Sequence, residues 1–109
     1  MDREKIIVRN DHEIRSIEID RLLAIVVRDY LCSFYIENEP TFTCSKSLKE
    51  VNELLPDFFV RINRNCIVNA PRVKTVNLTT NLVIFSGNLS FKYSKRRIKL
   101  LKDIIFNGM

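Results

Sequence analysis

Apolar and polar residues alternate along much of the chain with the period of two that is typical of β-strands. Two such runs, at 5–9 and 13–19, flank a polar stretch at 10–12 and predict a β-hairpin. The run at 22–27 is apolar throughout, which predicts a strand buried on both faces, with a helical turn at its start as the alternative. Further strands are predicted, between polar turns, over 30–36 and 41–44.

A polar cluster interrupts the alternation within residues 58–69. Val60 and Ile62 share one face of a predicted strand, opposite Arg61, and a second apolar run follows a few residues later. The three residues in between, Asn63-Arg64-Asn65, predict a short turn that exposes one guanidinium and two carboxamides. Such groups contact the phosphates and base edges of nucleic acids.

Two stretches have helical periodicity. Ser47 and Glu50 have the spacing of a capping box, which predicts a short helix near 47–55 that ends before Pro56. The apolar side chains expected on its buried face are Leu48, Val51, Leu54 and Leu55. Ser94 is expected to cap a second helix near 95–106. Three cations would then occupy its first turn, where the helix dipole disfavours them by ~0.3–1 kcal/mol each, and either a bound anion or solvent would screen them.

Turn residues at 79–81 and 87–88 separate three more predicted strands, and 70–72 is expected to be a loop. The pattern as a whole predicts a mainly β fold with nine or ten short strands and two short helices. A chain of 109 residues with 46% hydrophobic residues is long enough for one packed core, so residues 1–109 are expected to form a single domain. The three strands expected last are 73–78, 82–86 and 89–93.

Charge is distributed unevenly. Residues 1–57 contain twelve of the thirteen carboxylates and eight cations, whereas residues 58–109 contain ten cations and one carboxylate, Asp103. A cationic half of this kind is suited to binding a polyanion. The alternative is that these cations pair with the acidic half of the chain.

The sequence also argues against several functional classes. Cys32, Cys44 and Cys66 lack the spacing of a zinc or redox motif and are expected to be free thiols without a metal or other cofactor. No nucleophile-base pair or phosphate-binding glycine loop is recognisable, so an enzyme is not expected. Apolar runs too short to span a bilayer, and a charged beginning, predict a cytoplasmic protein that does not bind membranes.

Several separated motifs resemble the LytTR family of bacterial DNA-binding domains, over about residues 5–105. The matching segments are Ser47-Leu-Lys-Glu50, Phe59, Arg61-Ile62, Arg64, Ile67-Val68-Asn69 and Ser94-Lys-Arg-Arg97. The resemblance implies an elongated arrangement of three small antiparallel sheets, with loops that enter the major groove of double-stranded DNA. It further implies a response-regulator-like transcriptional regulator on paired direct repeats, with a weak homodimer on DNA and input from a separate signalling protein.

The same resemblance implies which residues contact DNA. The expected set is Arg64, Arg96, Asn63, Lys95, Arg28, Tyr30, Asn65, Arg97 and Arg61. The sequence departs from the family at Asn63, which is usually His, at Asn65, usually Ser, and at Cys66, usually aromatic. An amide can still donate and accept at a base edge, so these departures are compatible with DNA binding but imply a different preferred sequence. A β-rich module whose basic half binds an acidic protein or RNA is the alternative.

Overall fold

The computed structural model describes residues 4–107, within which the chain forms ten strands and two α-helices. The strands are β1 (Lys5–Arg9), β2 (Ile14–Glu18), β3 (Leu22–Arg28), β4 (Leu31–Ile36), β5 (Phe42–Ser45), β6 (Phe59–Asn63), β7 (Cys66–Asn69), β8 (Thr75–Asn77), β9 (Leu82–Ile84) and β10 (Ser90–Lys92). The helices are α1 (Leu48–Leu54) and α2 (Ile98–Asn107). The mainly β fold with two short helices is thus confirmed.

The strands form three antiparallel sheets, as the resemblance implied. β1 pairs with β2, β8–β9–β10 form a three-stranded sheet, and the largest sheet has the order β5-β4-β3-β7-β6. The principal extents of 40, 37 and 26 Å make the molecule flattened, so the elongation implied for this arrangement is slight.

β3 is the central strand of the five-stranded sheet and is covered on both sides, as its apolar sequence predicted. Ile25 lies opposite Phe34 of β4 and Ile67 of β7, and all three belong to one core cluster. Its neighbour Ala24 points into the second cluster with Val68. The helical turn lies just upstream of the strand, where Ile19–Arg21 form a 3₁₀ turn.

Helix α1 begins with the predicted capping box. Ser47 Oγ accepts from Glu50 N at 3.1 Å, and Glu50 Oε1 accepts from Ser47 N at 3.2 Å. Val51 is fully buried, but Leu54 is 42% exposed, so its predicted place on the buried face was wrong. At 100° per residue, Leu54 lies about 60° from Val51 around the axis, and a helix of seven residues is too short to bury so wide a stripe.

The second helix begins later than expected. Residues 95–97 form a turn before α2, closed by hydrogen bonds from Arg97 N and Ile98 N to Ser94 O at 3.0 and 3.1 Å. The first turn of α2 therefore does not contain the three cations, and its own first residue, Ile98, is buried with Leu101 in the second core cluster. The three cations lie instead immediately before the N-terminus of α2.

Irregular backbone shortens the last three strands relative to the prediction. Residues Ser86–Asn88 form a tight turn in which Gly87 has φ 82° and Asn88 has φ 66°. This left-handed pair ends β9 at Ile84, earlier than the alternation alone indicated. The expected loop at 70–72 is a 3₁₀ turn. All three cysteines are buried free thiols, as predicted.

Candidate nucleic-acid interface

Two turns lie side by side at one end of the five-stranded sheet. β3 and β7 are antiparallel with Val26 opposite Cys66, so the turn that follows β3 and the turn that precedes β7 meet at the same edge. A hydrogen bond of 2.8 Å from Val27 N to Asn65 O joins them. The turn at 28–30 and the turn at 63–65 therefore have a fixed relative position.

A third turn is joined to the same edge through β6 and β10. Ser94 N donates to Ile62 O at 2.8 Å, and Asn63 Nδ2 donates to Lys92 O at 2.6 Å. Both bonds hold the turn at 94–97 against the end of β6. The three turns at 28–30, 63–65 and 94–97 together form what we call the three-turn face.

The backbone around Arg64 is braced by its neighbours. Asn63 Oδ1 accepts from Asn65 N at 2.7 Å, so the amide of Asn63 bonds both across and along the turn. Arg61 donates from Nε to Asn63 O at 3.1 Å and from Nη2 to Arg64 O at 2.6 Å. Four side-chain hydrogen bonds thus hold a turn of three residues.

The side chains of this turn differ in how exposed they are and in whether their polar groups are already hydrogen-bonded. Arg64 is exposed, and its guanidinium has no hydrogen-bond or ion-pair partner among the described residues. Asn63 and Asn65 are only half-exposed, and the Asn63 amide is engaged through both its nitrogen and its oxygen. The expectation that the turn freely presents two carboxamides was therefore wrong for Asn63.

Guanidinium groups crowd together beside the third turn. Arg61, Arg96 and Arg97 line an open cleft of about 440 Å³ together with Leu100. Partial burial, and secondarily the charge of Arg97, lower the pKa of Arg61. Arg61 uses two of its five N–H donors for hydrogen bonds to the 63–65 turn, which leaves three N–H groups available to a ligand. An anion in the cleft would meet those donors and relieve the repulsion between like charges.

Among the described residues no carboxylate forms an ion pair with a cation of this face, although Asp29 lies in the turn at 28–30. The ion pairs between described residues are Arg15–Glu13, Arg21–Glu39 and Arg72–Glu37. Among the ten cations of the second half, Arg72 is the one that pairs with the acidic half in this part of the structure. The alternative in which the basic residues are generally matched by the acidic half is therefore not supported for residues 4–107.

The turn after β3 has an unusual backbone. Asp29 and Tyr30 both have positive φ, at 48° and 69°, which suits the tight twist of a two-residue hairpin but is uncommon for tyrosine. Tyr30 is 85% exposed. Arg28, also exposed, lies close enough to Cys66 to oppose the effect of burial, which raises the pKa of that thiol to about 12.

The nine residues expected to contact DNA all lie on or beside the three-turn face. Sequence reasoning missed the bonds that assemble it, because the acceptors Lys92 O and Ile62 O are backbone atoms that any residue would supply. It also missed Leu100, which is 57% exposed in the cleft and was hidden within the amphipathic pattern of α2. Within residues 4–107, no group of three potential ligands could hold a metal ion, and no helix is long and apolar enough to cross a membrane.

Comparison with known proteins identifies the family of the chain. The family model of the LytTr DNA-binding domain matches residues 12–106. The chain belongs to the LytTR family. This is a family of DNA-binding domains and not of enzymes. No protein with a curated description matches the chain significantly.

A solved structure has the same LytTR fold. It is described as the LytTr DNA-binding domain of a methyl-accepting/DNA response regulator from Bacillus cereus. The TM-score is 0.76 at 19% sequence identity, over 93% of this chain and 95% of that chain. At this identity the likeness supports the fold of the LytTR domain and leaves the contact residues to be argued from this chain's own geometry.

Proposed function

We propose that this LytTR domain binds double-stranded DNA sequence-specifically through the three-turn face and acts as a transcriptional regulator. The observation that carries the proposal is the convergence of three turns that each contain at least one arginine, are joined by hydrogen bonds, and whose arginines have no carboxylate partner among the described residues. Preorganised cations of this kind lower the entropic cost of binding a polyanion.

Arg64 and Arg96 are proposed to enter the major groove. Both are exposed, and each projects from a separate braced turn. The guanidinium can donate two parallel hydrogen bonds to guanine O6 and N7, a contact worth about 1–3 kcal/mol of discrimination. Two arginine side chains of this kind would contact separate base pairs, which gives sequence specificity without a recognition helix.

The neighbouring cations are proposed to contact phosphates. Arg61 and Arg97 face the cleft and Lys95 lies at its rim beside Arg96, so a phosphate bound there would meet several donors. Such contacts set the position of the protein on the duplex and carry no sequence information. Arg28 and Tyr30 would make the third set of contacts, with the Tyr30 ring against sugar or a thymine methyl group.

We assign the two asparagines supporting roles. Asn63 has its amide engaged on both sides, so its main effect is to set the direction of Arg64. Asn65 is half-exposed, and its backbone joins two turns, which allows a polar contact to DNA as well as a structural role. A base contact by Asn63 would have to use its remaining donor and lone pair.

Binding can be tested by titrating a labelled random-sequence duplex, and then a duplex selected from a random pool, at two salt concentrations. If roughly five phosphates are neutralised, log K should fall with log salt with a slope of about −4 to −5. Arg64→Ala and Arg96→Ala should each cost about 1–3 kcal/mol on the selected duplex. Lys5→Ala is the matched control, because it removes the same charge at the start of β1, where Lys5 pairs with Glu18 close to the beginning of β3 and far from the turn that follows that strand. Unchanged affinity in both folded arginine variants would refute the assigned contacts.

An acidic protein or RNA remains the competing ligand for the same face. The exposed apolar residues Tyr30, Leu31 and Leu100 lie beside the cations, and such a mixture also suits protein interfaces. Duplex DNA should outcompete single-stranded RNA and acidic peptide under the proposed function, and should lose under the alternative.

Paired direct repeats and a weak homodimer on DNA also remain proposals, as does a separate signalling protein. A duplex with two selected sites should bind two copies with higher apparent affinity than two separate single-site duplexes. Moving the sites apart by half a helical turn should remove the gain, because the two copies would then face opposite sides of the DNA.

A further inference from the structure

Two of the three cysteines lie directly opposite each other on neighbouring strands. In the register of β4 and β5, Cys32 is the partner of Cys44, so both side chains point to the same face of the sheet. The next pair on that face, Phe34 and Phe42, has its rings in edge contact with 6.1 Å between the centroids. The two thiols therefore project side by side into the core cluster that contains Ile25.

The hydrogen-bond pattern shows which kind of strand pair the cysteines form. Val27 lies opposite Cys32 on β3, but its N–H donates in the other direction, to Asn65 O. Because backbone groups alternate in direction along a strand, the N–H and C=O of Cys32 then point to β5. On β5, Thr43 O accepts from a side chain of the β1–β2 turn, outside the sheet, which turns the backbone groups of Cys44 towards β4. The cysteines are thus a hydrogen-bonded pair.

This pairing sets a separation that a disulfide can span after a small shift. The α-carbons of a hydrogen-bonded antiparallel pair are about 5.5 Å apart, and those of most disulfides about 5.5–6 Å. The β-carbons of sheet pairs are about 4.5–5.5 Å apart, against about 3.5–4.5 Å in a disulfide, so they must approach by roughly 1 Å. β5 can move in this way because it is an edge strand of four residues and pairs with another strand on one side only.

The two thiols differ in how readily they react. Burial raises the pKa of the Cys32 thiol to about 12, with smaller contributions from the charge of Cys44 and from a hydrogen bond between the two thiols. Burial raises the pKa of Cys44 as well, but the charge of Lys46 opposes this effect. Cys44 also keeps 5% of its surface exposed, whereas Cys32 has no exposed surface. Oxidation should therefore begin at Cys44, because the thiolate is the reactive form and the oxidant must reach it.

We propose that Cys32 and Cys44 form a reversible disulfide on exposure to hydrogen peroxide, and that this bond fastens β5 to β4. The Cys44 thiolate attacks one peroxide oxygen, which gives a sulfenic acid and releases the other oxygen as water. The Cys32 sulfur then attacks the sulfenic sulfur, and the sulfenic oxygen leaves as water with the Cys32 proton. Two thiols thus lose two electrons and two protons, and one peroxide is reduced to two waters. The disulfide does not depend on the DNA-binding function.

A count of free thiols in the full chain tests the proposal. The folded chain is treated with hydrogen peroxide, the peroxide is removed, and the product is denatured and alkylated with N-ethylmaleimide before mass spectrometry. The untreated chain should carry an adduct on each of its three cysteines, and the oxidised chain an adduct on Cys66 alone. Peptide mapping without reductant should show Cys32 joined to Cys44. An excess of reduced glutathione should restore all three adducts, because a strained disulfide is readily reduced.

Cys66 supplies the matched control, since it is equally buried but lies opposite Val26 and Asn63 and not opposite a cysteine. After peroxide treatment, Cys66→Ala should carry no adduct, because its two remaining thiols are joined, whereas Cys44→Ala should still carry two. The mapping of the wild-type chain stands whether or not Cys44→Ala folds. Three adducts on the treated wild-type chain, a disulfide that includes Cys66, or a sulfinic acid on Cys44 in place of the bond would each overturn the proposal.

Discussion

Asn63 is predicted to act on DNA through Arg64, and a double-mutant cycle can test this. The substitution Asn63→Ala removes two hydrogen bonds, one to Lys92 O at 2.6 Å and one from Asn65 N at 2.7 Å. Both lie in partly solvated surroundings, so each contributes about 0.5–1.5 kcal/mol to stability. The variant should lose about 1–3 kcal/mol in the free energy of unfolding and remain folded at 25 °C.

The effect on DNA binding should depend on Arg64. In the wild-type background, Asn63→Ala should weaken binding to the selected duplex about fivefold, equivalent to about 1 kcal/mol, because the arginine must be ordered on binding. In the Arg64→Ala background, the same substitution should cost less than about 0.5 kcal/mol, since no guanidinium remains to be positioned. The coupling energy should therefore be about 0.5–1 kcal/mol.

Fluorescence anisotropy of the labelled duplex, for the wild-type chain and three variants at one salt concentration, measures this cycle. Asn10→Ala is the matched control, because the Asn10 amide also bonds along its turn, accepting through Oδ1 from His12 N and Glu13 N, and across it, donating through Nδ2 to Thr43 O on β5, the edge strand opposite β6. That control should lower stability and leave affinity unchanged. Additive effects of Asn63→Ala and Arg64→Ala would show that Asn63 contacts DNA independently and would refute the reasoning.

Three further predictions concern separate parts of the molecule. Arg97→Ala should make the salt dependence of binding less steep by about 0.9 in the log–log slope, measured on random and selected duplexes alike, and a loss confined to the selected duplex would instead indicate a base contact. Ser47→Ala should lower the free energy of unfolding by about 0.5–2 kcal/mol in urea denaturation without changing DNA affinity, because it removes the cap of α1. Burial raises the pKa of the Cys66 thiol from 9.0 to about 12. Above pH 9 the unfolded chain therefore loses this proton before the folded chain does. The free energy of unfolding should then fall with rising pH, by up to about 1.4 kcal/mol per pH unit. The free energy of unfolding of the Cys66→Ala variant should fall less steeply over pH 9–11 than that of the wild-type chain. Parallel curves of unfolding free energy against pH for the two proteins would contradict the assigned burial.

The elements of the fold were predictable where one physical rule decided the outcome. The apolar run of β3 and the alternation around Arg61 each had a single low-energy arrangement, and the capping box of α1 is a local interaction. The start of α2 was not predictable in this way. Ser94 has the composition of a cap, and its carbonyl oxygen accepts from Arg97 N and Ile98 N, but the position of the turn that follows is set by the bond from Ser94 N to Ile62 O on β6, a contact between residues distant in sequence.

The charges of the site could be predicted from the sequence, but the hydrogen bonds that join its three turns could not. An acid-free segment and the positions of Arg64 and Arg96 followed from the sequence, since charge pattern is independent of packing. The engagement of the Asn63 amide depends on how the three-stranded sheet docks against β6, and no local pattern encodes that docking. The role of the buried Asn69 amide was equally hidden, because the carbonyl oxygens that accept from its Nδ2 lie 47 and 50 residues away in the sequence.

The pairing of β3 with β7 has a consequence for the order in which the protein can fold as it is synthesised. β3, β4 and β5 are consecutive hairpin partners, but the other edge of β3 stays unpaired until the chain has been made through Val68. During that interval the most apolar strand presents an open edge, which is the kind of surface that pairs with other unfolded chains. Completion of the sheet by the β6–β7 hairpin closes that edge and also brings Arg64 beside the turn at 28–30. Protection from aggregation and the pairing of the first two turns of the three-turn face should therefore be acquired in the same step, whereas DNA-binding competence also needs the turn at 94–97, which is synthesised later.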